Sequence, residues 1–202
     1  MHIQPDAGNP AAELYLDLMK KMLTRIIQGV CYVPVSLVPP EGDTGIFVQK
    51  VIQWIESQNV GVFKILRIDE ARRREGMDWP VDAETMIGIK RLDNIQYCVT
   101  DILRKNVPGD LIETGVWRGG ASIFMRAVLK AYGVTDRIVW VADSFQGLPK
   151  PNPEKYPADK DDTLWTYDEL KISVEDVKAN FAKYGLLDGQ VRLAVEDVRT
   201  SN

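Results

Sequence analysis

Short apolar runs alternate with amphipathic stretches through the second half of the chain. The apolar runs predict strands over residues 110–114, 137–142 and 190–195, and the amphipathic stretches predict helices over residues 121–132 and 174–184. Strand and helix patterns in this order are typical of a parallel sheet with right-handed crossovers. We therefore expect an α/β fold in which three strands lie in one parallel sheet.

The first half of the chain has a mainly helical pattern. Apolar residues at helical spacing predict helices over residues 11–28, 47–57 and 83–105. In the first helix, the expected buried face is formed by Leu14, Leu18, Met22 and Ile26. Prolines and glycines predict a loop over 33–45, and residues 60–68 form either a strand or the start of the next helix. We divide the chain into a helical region, 1–106, expected to cover the site or mediate oligomerisation, and a sheet region, 107–202.

Composition excludes several classes of protein and site. A net charge of −4 over 202 residues disfavours a general nucleic-acid-binding face. No apolar run approaches the ~20 residues that span a bilayer, and the first 13 residues lack the features of a secretory signal. We therefore expect a cytoplasmic protein with neither nucleic-acid nor membrane partners.

Cysteine and histidine usage excludes further chemistry. Cys31 and Cys98 are far apart and lack metal-ligand spacing, so neither a disulfide framework nor a zinc site is expected. His2 is the only histidine. A catalytic triad, a Cys-His dyad or a multi-histidine metal site would each need that residue in the terminal segment. We therefore expect none of these three kinds of site.

The main candidate for a ligand site is the glycine loop, residues 113–120, between the first strand and first helix of the sheet region. Ligands of open α/β sheets bind at the carboxyl ends of the strands, where a helix N-terminus presents free N–H groups. The dinucleotide fingerprint is G-x-G-x-x-G, whereas this loop has Gly115, Gly119 and Gly120, with Trp117 in place of the middle glycine. The bulk of Trp117 argues against close approach by a pyrophosphate.

Two carboxylates favour a ligand without phosphate. Glu113 would repel a phosphate but could accept hydrogen bonds or pair with a cationic amino group. Asp143 lies 23 residues beyond Gly120, at a strand end where a carboxylate can hold ribose hydroxyls. S-adenosylmethionine fits this pattern better than NAD. The alternatives are that the glycines form only a turn, that Asp143 is a helix N-cap or turn residue, and that Trp117 packs over the sheet end.

Four long stretches of the chain resemble one enzyme family. They are TMIGIKRLDNIQYCV, VPGDLIETGVWRGGASIFMRAVLKAYGV, DRIVWVADSFQGLP and VKANFAKYGLLDGQVR. On these stretches, residues from about 85 to 192 closely resemble the macrocin O-methyltransferase family, whose members methylate deoxysugar hydroxyls on macrolides such as macrocin and mycinamicin III.

The resemblance implies a Rossmann-like, class I S-adenosylmethionine-dependent methyltransferase of antibiotic biosynthesis. It implies methyl transfer to a hydroxyl of a small sugar-bearing natural product, assisted by a divalent metal, usually magnesium. It places in cofactor-binding segments Glu113, Thr114, Gly115, Val116, Trp117, Gly119, Gly120, Asp143 and Ser144. Residues 70–88, here named the cover segment, resemble the family's cover over substrate and cofactor, with Trp79 and Met86 as substrate candidates. The match assigns no metal ligand or catalytic base.

The chain departs from the family pattern in two places. Residues 31–64 are longer than in the macrolide enzymes, so a different lid or oligomer contact and a different substrate are expected. From Ala194 onward, the sequence does not follow the family's further strands, which carry the metal ligands and the likely base. A class I sheet has seven strands and this sequence predicts three, so we expect a sheet truncated after the third strand, with the magnesium ligands in the missing part.

Three hypotheses follow from these departures. The first is a methyltransferase chain that would be active only when complete, the second a non-catalytic remnant that folds or oligomerises, and the third an NAD-binding oxidoreductase, which Trp117 disfavours. We also expect a homo-oligomer, because the 111–114 strand would otherwise be an exposed edge.

Purified residues 1–202 are predicted to transfer no methyl group to hydroxylated sugars in the presence of magnesium, because the family's strands that carry the metal ligands and the likely base are expected to be missing from them. Incubation with radiolabelled S-adenosylmethionine measures this directly. Label transfer above the no-enzyme level would contradict the expected truncation.

Overall fold

The structure is a computed structural model that describes residues 9–35 and 44–195. In chain order, its helices and strands are α1 (Pro10–Leu23), β1 (Val30–Pro34), α2 (Thr44–Ser57), β2 (Phe63–Arg67), α3 (Glu70–Glu75), α4 (Gly88–Arg104), β3 (Leu111–Thr114), α5 (Gly120–Ala131), β4 (Val139–Asp143), α6 (Val174–Lys183) and β5 (Val191–Val195). Short 3₁₀ turns follow α1 and interrupt the connection between β4 and α6.

The second half of the chain contains the expected parallel sheet. Its order is β3–β4–β5, with β4 in the centre and parallel to both neighbours. Leu111, Val139 and Val191 are aligned across the three strands and are buried. The predicted strand–helix alternation and the α/β fold are therefore confirmed, and all three strands present their carboxyl ends at one edge.

Helix α5 lies at the centre of the core. It contacts β3 and β4 on one side and α1 and α4 on the other. Each of its residues from Gly120 to Leu129 is buried, as expected for a helix enclosed on all sides. Val177 and Phe181 of α6 join the same hydrophobic cluster. Because α5 starts where the glycine loop ends, this buried helix fixes the position of the loop.

The opposite face of the sheet is open among the described residues. Ile112 and Trp140 are paired across β3 and β4 and point away from the core, and Ile112 is 62% exposed. Parallel strands usually have both faces covered. The sheet therefore leaves apolar side chains and the free edge of β3 accessible.

The first half of the chain is not only helical. Strands β1 and β2 form a two-stranded antiparallel sheet, with Tyr32 opposite Ile65. The expected mainly helical character is confirmed by α1 to α4, to which β1 and β2 add a small sheet. The strand alternative for residues 60–68 is confirmed by β2. Cross-strand pairing is a contact between distant segments, and helical spacing within one segment carries no information about it.

Helix α1 buries a different face from the one predicted. Leu14 and Leu18 are 72% and 48% exposed, so the predicted apolar face was wrong. The buried residues are instead Ala12, Leu16, Met19 and Leu23. Both sets have helical spacing, and contact with α5 selects between them. The helix ends earlier than predicted, at Leu23, and Arg25 then adopts a left-handed conformation with φ of 57°.

Helix α4 also starts later than predicted, at Gly88 rather than at residue 83. Gly88 has φ of +76°, and a Cβ there would lie 2.6 Å from the Arg73 carbonyl oxygen. Arg73 belongs to the run of three arginines in α3, and it is buried. Its guanidinium donates to the Thr24 carbonyl at 2.5 Å and to Asp78 at 2.6 Å.

Some of the sequence predictions fall outside the described residues. They concern His2, most of the loop over 33–45, and the tail beyond Val195. Within the described residues Cys31 is buried, Cys98 is exposed, and both are free thiols. None of the helices described is long and apolar enough to cross a membrane.

The buried face of α1 gives a direct stability prediction. Leu16→Ala is expected to lower the free energy of unfolding by roughly 2–5 kcal/mol, because it leaves a cavity against α5. The matched control Leu14→Ala is expected to change it by less than about 0.5 kcal/mol, because that side chain is in solvent. Urea denaturation of both variants measures the difference. Equal effects would contradict the assigned face.

The free edge of β3 gives a second prediction. We expect the chain to self-associate through this edge, because unpaired strand groups beside an exposed apolar face favour strand addition. Ile112→Lys is expected to shift the protein toward monomer, since charge on an edge opposes pairing. Sedimentation velocity at several concentrations measures both proteins. A monodisperse wild-type monomer would exclude this association.

Candidate functional site

The glycine loop turns sharply at the carboxyl end of β3. Gly115 has φ of +85° and its N–H donates to the Ala142 carbonyl at 3.0 Å, which ties the loop to β4. A Cβ added at Gly115 would meet nothing within 4 Å. Thr114 and Gly115 are both exposed. The loop therefore presents open space directly at the strand end.

Glu113 lies beneath this loop with its carboxyl group mostly out of water. Its Oε2 accepts the backbone N–H of Ser122 at 2.9 Å and the Ser122 hydroxyl at 2.5 Å. The pKa of Glu113 is raised to about 7, mainly by burial and to a smaller extent by the nearby Asp143 charge, while the two Ser122 bonds oppose the shift. Both recorded bonds go to Oε2, which leaves Oε1 available as an acceptor.

Asp143 connects β4 to the glycine loop. Its Oδ2 accepts the Val116 N–H at 2.6 Å, and its Oδ1 accepts the Phe145 N–H at 2.9 Å. The turn role considered for Asp143 is therefore present. Ser144 belongs to the same turn, and its hydroxyl accepts the Gln146 N–H at 3.3 Å. A carboxylate has about four lone-pair positions, so Asp143 retains capacity for ligand hydroxyls.

Trp117 is held by polar contacts above the loop. It has φ of 50°, and its indole N–H donates to the Glu169 carbonyl at 2.8 Å. The Arg118 guanidinium lies 4.3 Å from the centroid of the Trp117 ring. Arg118 also donates to the carbonyls of Val81 and Ala83 in the cover segment. Trp117 thus joins the glycine loop to the connection between β4 and α6.

Gly119 and Gly120 serve the packing of the loop on its neighbours. Gly119 has φ of +87°, and a Cβ there would lie 3.1 Å from Val177. The Gly120 N–H donates to the Glu84 carbonyl at 2.9 Å. A Cβ on Gly120 would lie 2.5 Å from that oxygen and 2.6 Å from the Thr85 side chain. Only glycine allows the cover segment to dock here.

The two substrate candidates lie in the cover segment. Trp79 is 47% exposed, and its ring centroid lies 5.8 Å from that of Tyr167. Met86 directly follows Thr85, which packs on Gly120, and is partly buried. The structure thus brings the cofactor candidates together in the glycine loop and at the end of β4, with the cover segment docked beside them.

Several residues of the site escaped the sequence analysis. Ser122 binds Glu113, Glu84 and Thr85 meet Gly120, and Tyr167 meets Trp79. The position of Ser122 in the first turn of α5 was a local signal for a carboxylate partner. The other contacts join distant segments and had no local signal.

The residues at the strand ends fit S-adenosylmethionine. Open space lies over Gly115, and the side chains of Glu113 and Asp143 offer acceptors to an ammonium group and to hydroxyls. The part of the chain that the structure describes offers no comparable set of ligands for magnesium. Within residues 9–35 and 44–195 no three His, Cys, Asp or Glu side chains form a group that could hold a metal.

The chain is similar to a described family and to proteins of known activity. The family model described as Macrocin-O-methyltransferase (TylF) matches residues 12–196. The 8-demethyl-8-(2,3-dimethoxy-alpha-L-rhamnosyl)-tetracenomycin-C 4'-O-methyltransferase of Streptomyces olivaceus is 46% identical over 183 residues, which are 90% of this chain and 60% of that protein. The mycinamicin III 3''-O-methyltransferase of Micromonospora griseorubida is 45% identical over 194 residues, which are 94% of this chain and 65% of that protein.

A solved structure has the same fold. The O-methyltransferase NovP superposes with a TM-score of 0.71 at 43% sequence identity, over 90% of this chain and 63% of the NovP chain. The chain thus spans about three fifths of the length of the relatives it matches. The expected Rossmann-like methyltransferase fold is confirmed by this match, and by sequence and fold the chain belongs to the macrocin O-methyltransferase family.

Proposed function

We propose that this chain binds S-adenosylmethionine and serves the O-methylation of a hydroxyl group on a sugar-bearing natural product. The observation that carries the proposal is a mostly buried glutamate, Glu113, held by Ser122 directly beneath the open turn at Gly115. Family membership supports the reaction class. The names of the two relatives above, both O-methyltransferases that act on glycosylated compounds, support the substrate class.

The proposed cofactor roles follow from the chemistry of the two carboxylates. Glu113 would accept hydrogen bonds from the methionine ammonium through Oε1, while Ser122 holds Oε2. Asp143 would accept the ribose hydroxyls while it keeps its bonds to Val116 and Phe145. Acceptors at both positions favour a cationic, hydroxylated ligand over a phosphate. When bound, this cofactor supplies an electrophilic methyl group on a sulfonium.

The acceptor would lie between the glycine loop and the cover segment. Trp79 and Met86 are proposed as substrate contacts, because the docking of Thr85 on Gly120 places this segment beside the loop. The magnesium requirement, the cytoplasmic location and the homo-oligomer expected from the sequence stay predictions.

Binding of S-adenosylhomocysteine, measured by isothermal titration calorimetry, tests the cofactor assignment. Asp143→Ala is expected to weaken binding at least tenfold, because hydrogen bonds to a charged group contribute roughly 1.5–3 kcal/mol. The matched control Asp136→Ala removes an exposed carboxylate before β4 and is expected to leave binding unchanged. NAD binding would instead indicate an oxidoreductase, and a folded chain that binds neither ligand would indicate a non-catalytic remnant.

The pKa of Glu113 gives the pH dependence of that binding. An ammonium group favours the ionised carboxyl, so affinity is expected to rise as the pH rises through about 7 and to level off near pH 8. Below pH 7 the carboxyl is protonated, and affinity should fall up to tenfold per pH unit. Glu113→Gln is expected to bind weakly with no such slope between pH 5.5 and 8. An unchanged slope in this variant would refute the role of Glu113.

A further inference from the structure

Two aromatic rings from distant segments form an exposed pair beside the glycine loop. Trp79 of the cover segment and Tyr167 of the β4–α6 loop, residues 144–173, have centroids 5.8 Å apart and planes tilted by 33°. Trp79 is 47% exposed and Tyr167 is 45% exposed. Neither ring is part of the core, so both present aromatic surface to solvent.

The β4–α6 loop is anchored to the glycine loop just after Tyr167. Two residues farther along, the Glu169 carbonyl accepts the Trp117 indole N–H at 2.8 Å. Two residues span at most about 7 Å of chain, so Tyr167 lies close to the glycine loop. The backbone around Tyr167 is folded into 3₁₀ turns over Leu164–Thr166 and Asp168–Leu170. The position of the tyrosine ring is thus tied to the candidate cofactor site.

The same loop is closed at its base. Gly147 has φ of +79°, and a Cβ there would lie 2.5 Å from the Lys171 side chain. The Lys171 ammonium in turn contacts Asp168 at 2.6 Å. Residues 148–170 therefore leave and re-enter the fold at one point, as in a compact surface loop. Tyr167 lies at the closed end of this loop.

We infer that Trp79 and Tyr167 together bind the apolar face of the sugar ring that carries the methyl-accepting hydroxyl. This inference rests on the proposed function and adds Tyr167 as a residue that determines substrate specificity. Aromatic faces carry partial negative charge and attract the polarised C–H groups on one face of a pyranose. The two tilted rings offer such faces, while the ring hydroxyls stay free to point toward the cofactor.

Saturation-transfer NMR with methyl α-L-rhamnopyranoside tests the inference on the 202-residue chain in the presence of S-adenosylhomocysteine. Wild-type protein is expected to transfer saturation to the sugar C–H protons. Tyr167→Ala and Trp79→Ala are each expected to weaken sugar binding about fivefold, as loss of one aromatic contact predicts. Tyr167→Phe keeps the ring and is expected to bind like wild type.

Tyr156→Ala is the matched control, since Tyr156 lies in the same loop, is 43% exposed and contacts Lys155 rather than another ring. Equal sugar binding by Tyr167→Ala and wild type, or no transfer to the sugar from wild type, would overturn the inference. Calorimetry with S-adenosylhomocysteine on the same samples separates the two ideas. If wild-type protein does not bind S-adenosylhomocysteine, the proposed function is refuted. If it binds S-adenosylhomocysteine but sugar binding does not depend on Tyr167, only the aromatic contact is refuted.

Discussion

The hydrogen bond between the Gly120 N–H and the Glu84 carbonyl joins the two halves of the molecule. It is 2.9 Å long, and the space for it exists only because position 120 has no side chain. It lies where the first residue of the buried helix α5, the end of the glycine loop and the cover segment meet. Any larger residue at position 120 would push the cover segment away from the strand ends, and the candidate acceptor contacts would move with it.

Local patterns were sufficient to predict the sheet half of the molecule. Apolar runs of five or six residues, separated by amphipathic stretches, predicted β3, β4 and β5 and their parallel orientation, because consecutive strand–helix units leave few topologies open. The same reasoning put Glu113 and Asp143 at neighbouring strand ends. The structure shows in addition that these carboxylates accept hydrogen bonds from the backbone N–H groups of Ser122, Val116 and Phe145.

Contacts between distant segments could not be predicted from the sequence. The buried face of α1 depends on α5, more than a hundred residues later, and two apolar faces satisfied the helical period equally well. Pairing of β1 with β2 and burial of Arg73 likewise depend on partners that no local spacing reveals. The function of Gly120 likewise depends on a distant segment. The sequence indicates that Gly120 belongs to a ligand-binding loop, whereas in the structure Glu84 and Thr85 dock against it.

The closed base of the β4–α6 loop has a consequence for how the length of this loop can vary in the family. Because Gly147 lies against Lys171, residues 148–163 can vary in number without altering the distance between β4 and α6. Doubling the length of such a loop costs only about 0.6 kcal/mol of closure entropy. Selection can therefore change the outer part of the loop, residues 148–163, while the sheet register and the bond from Trp117 to Glu169 stay intact.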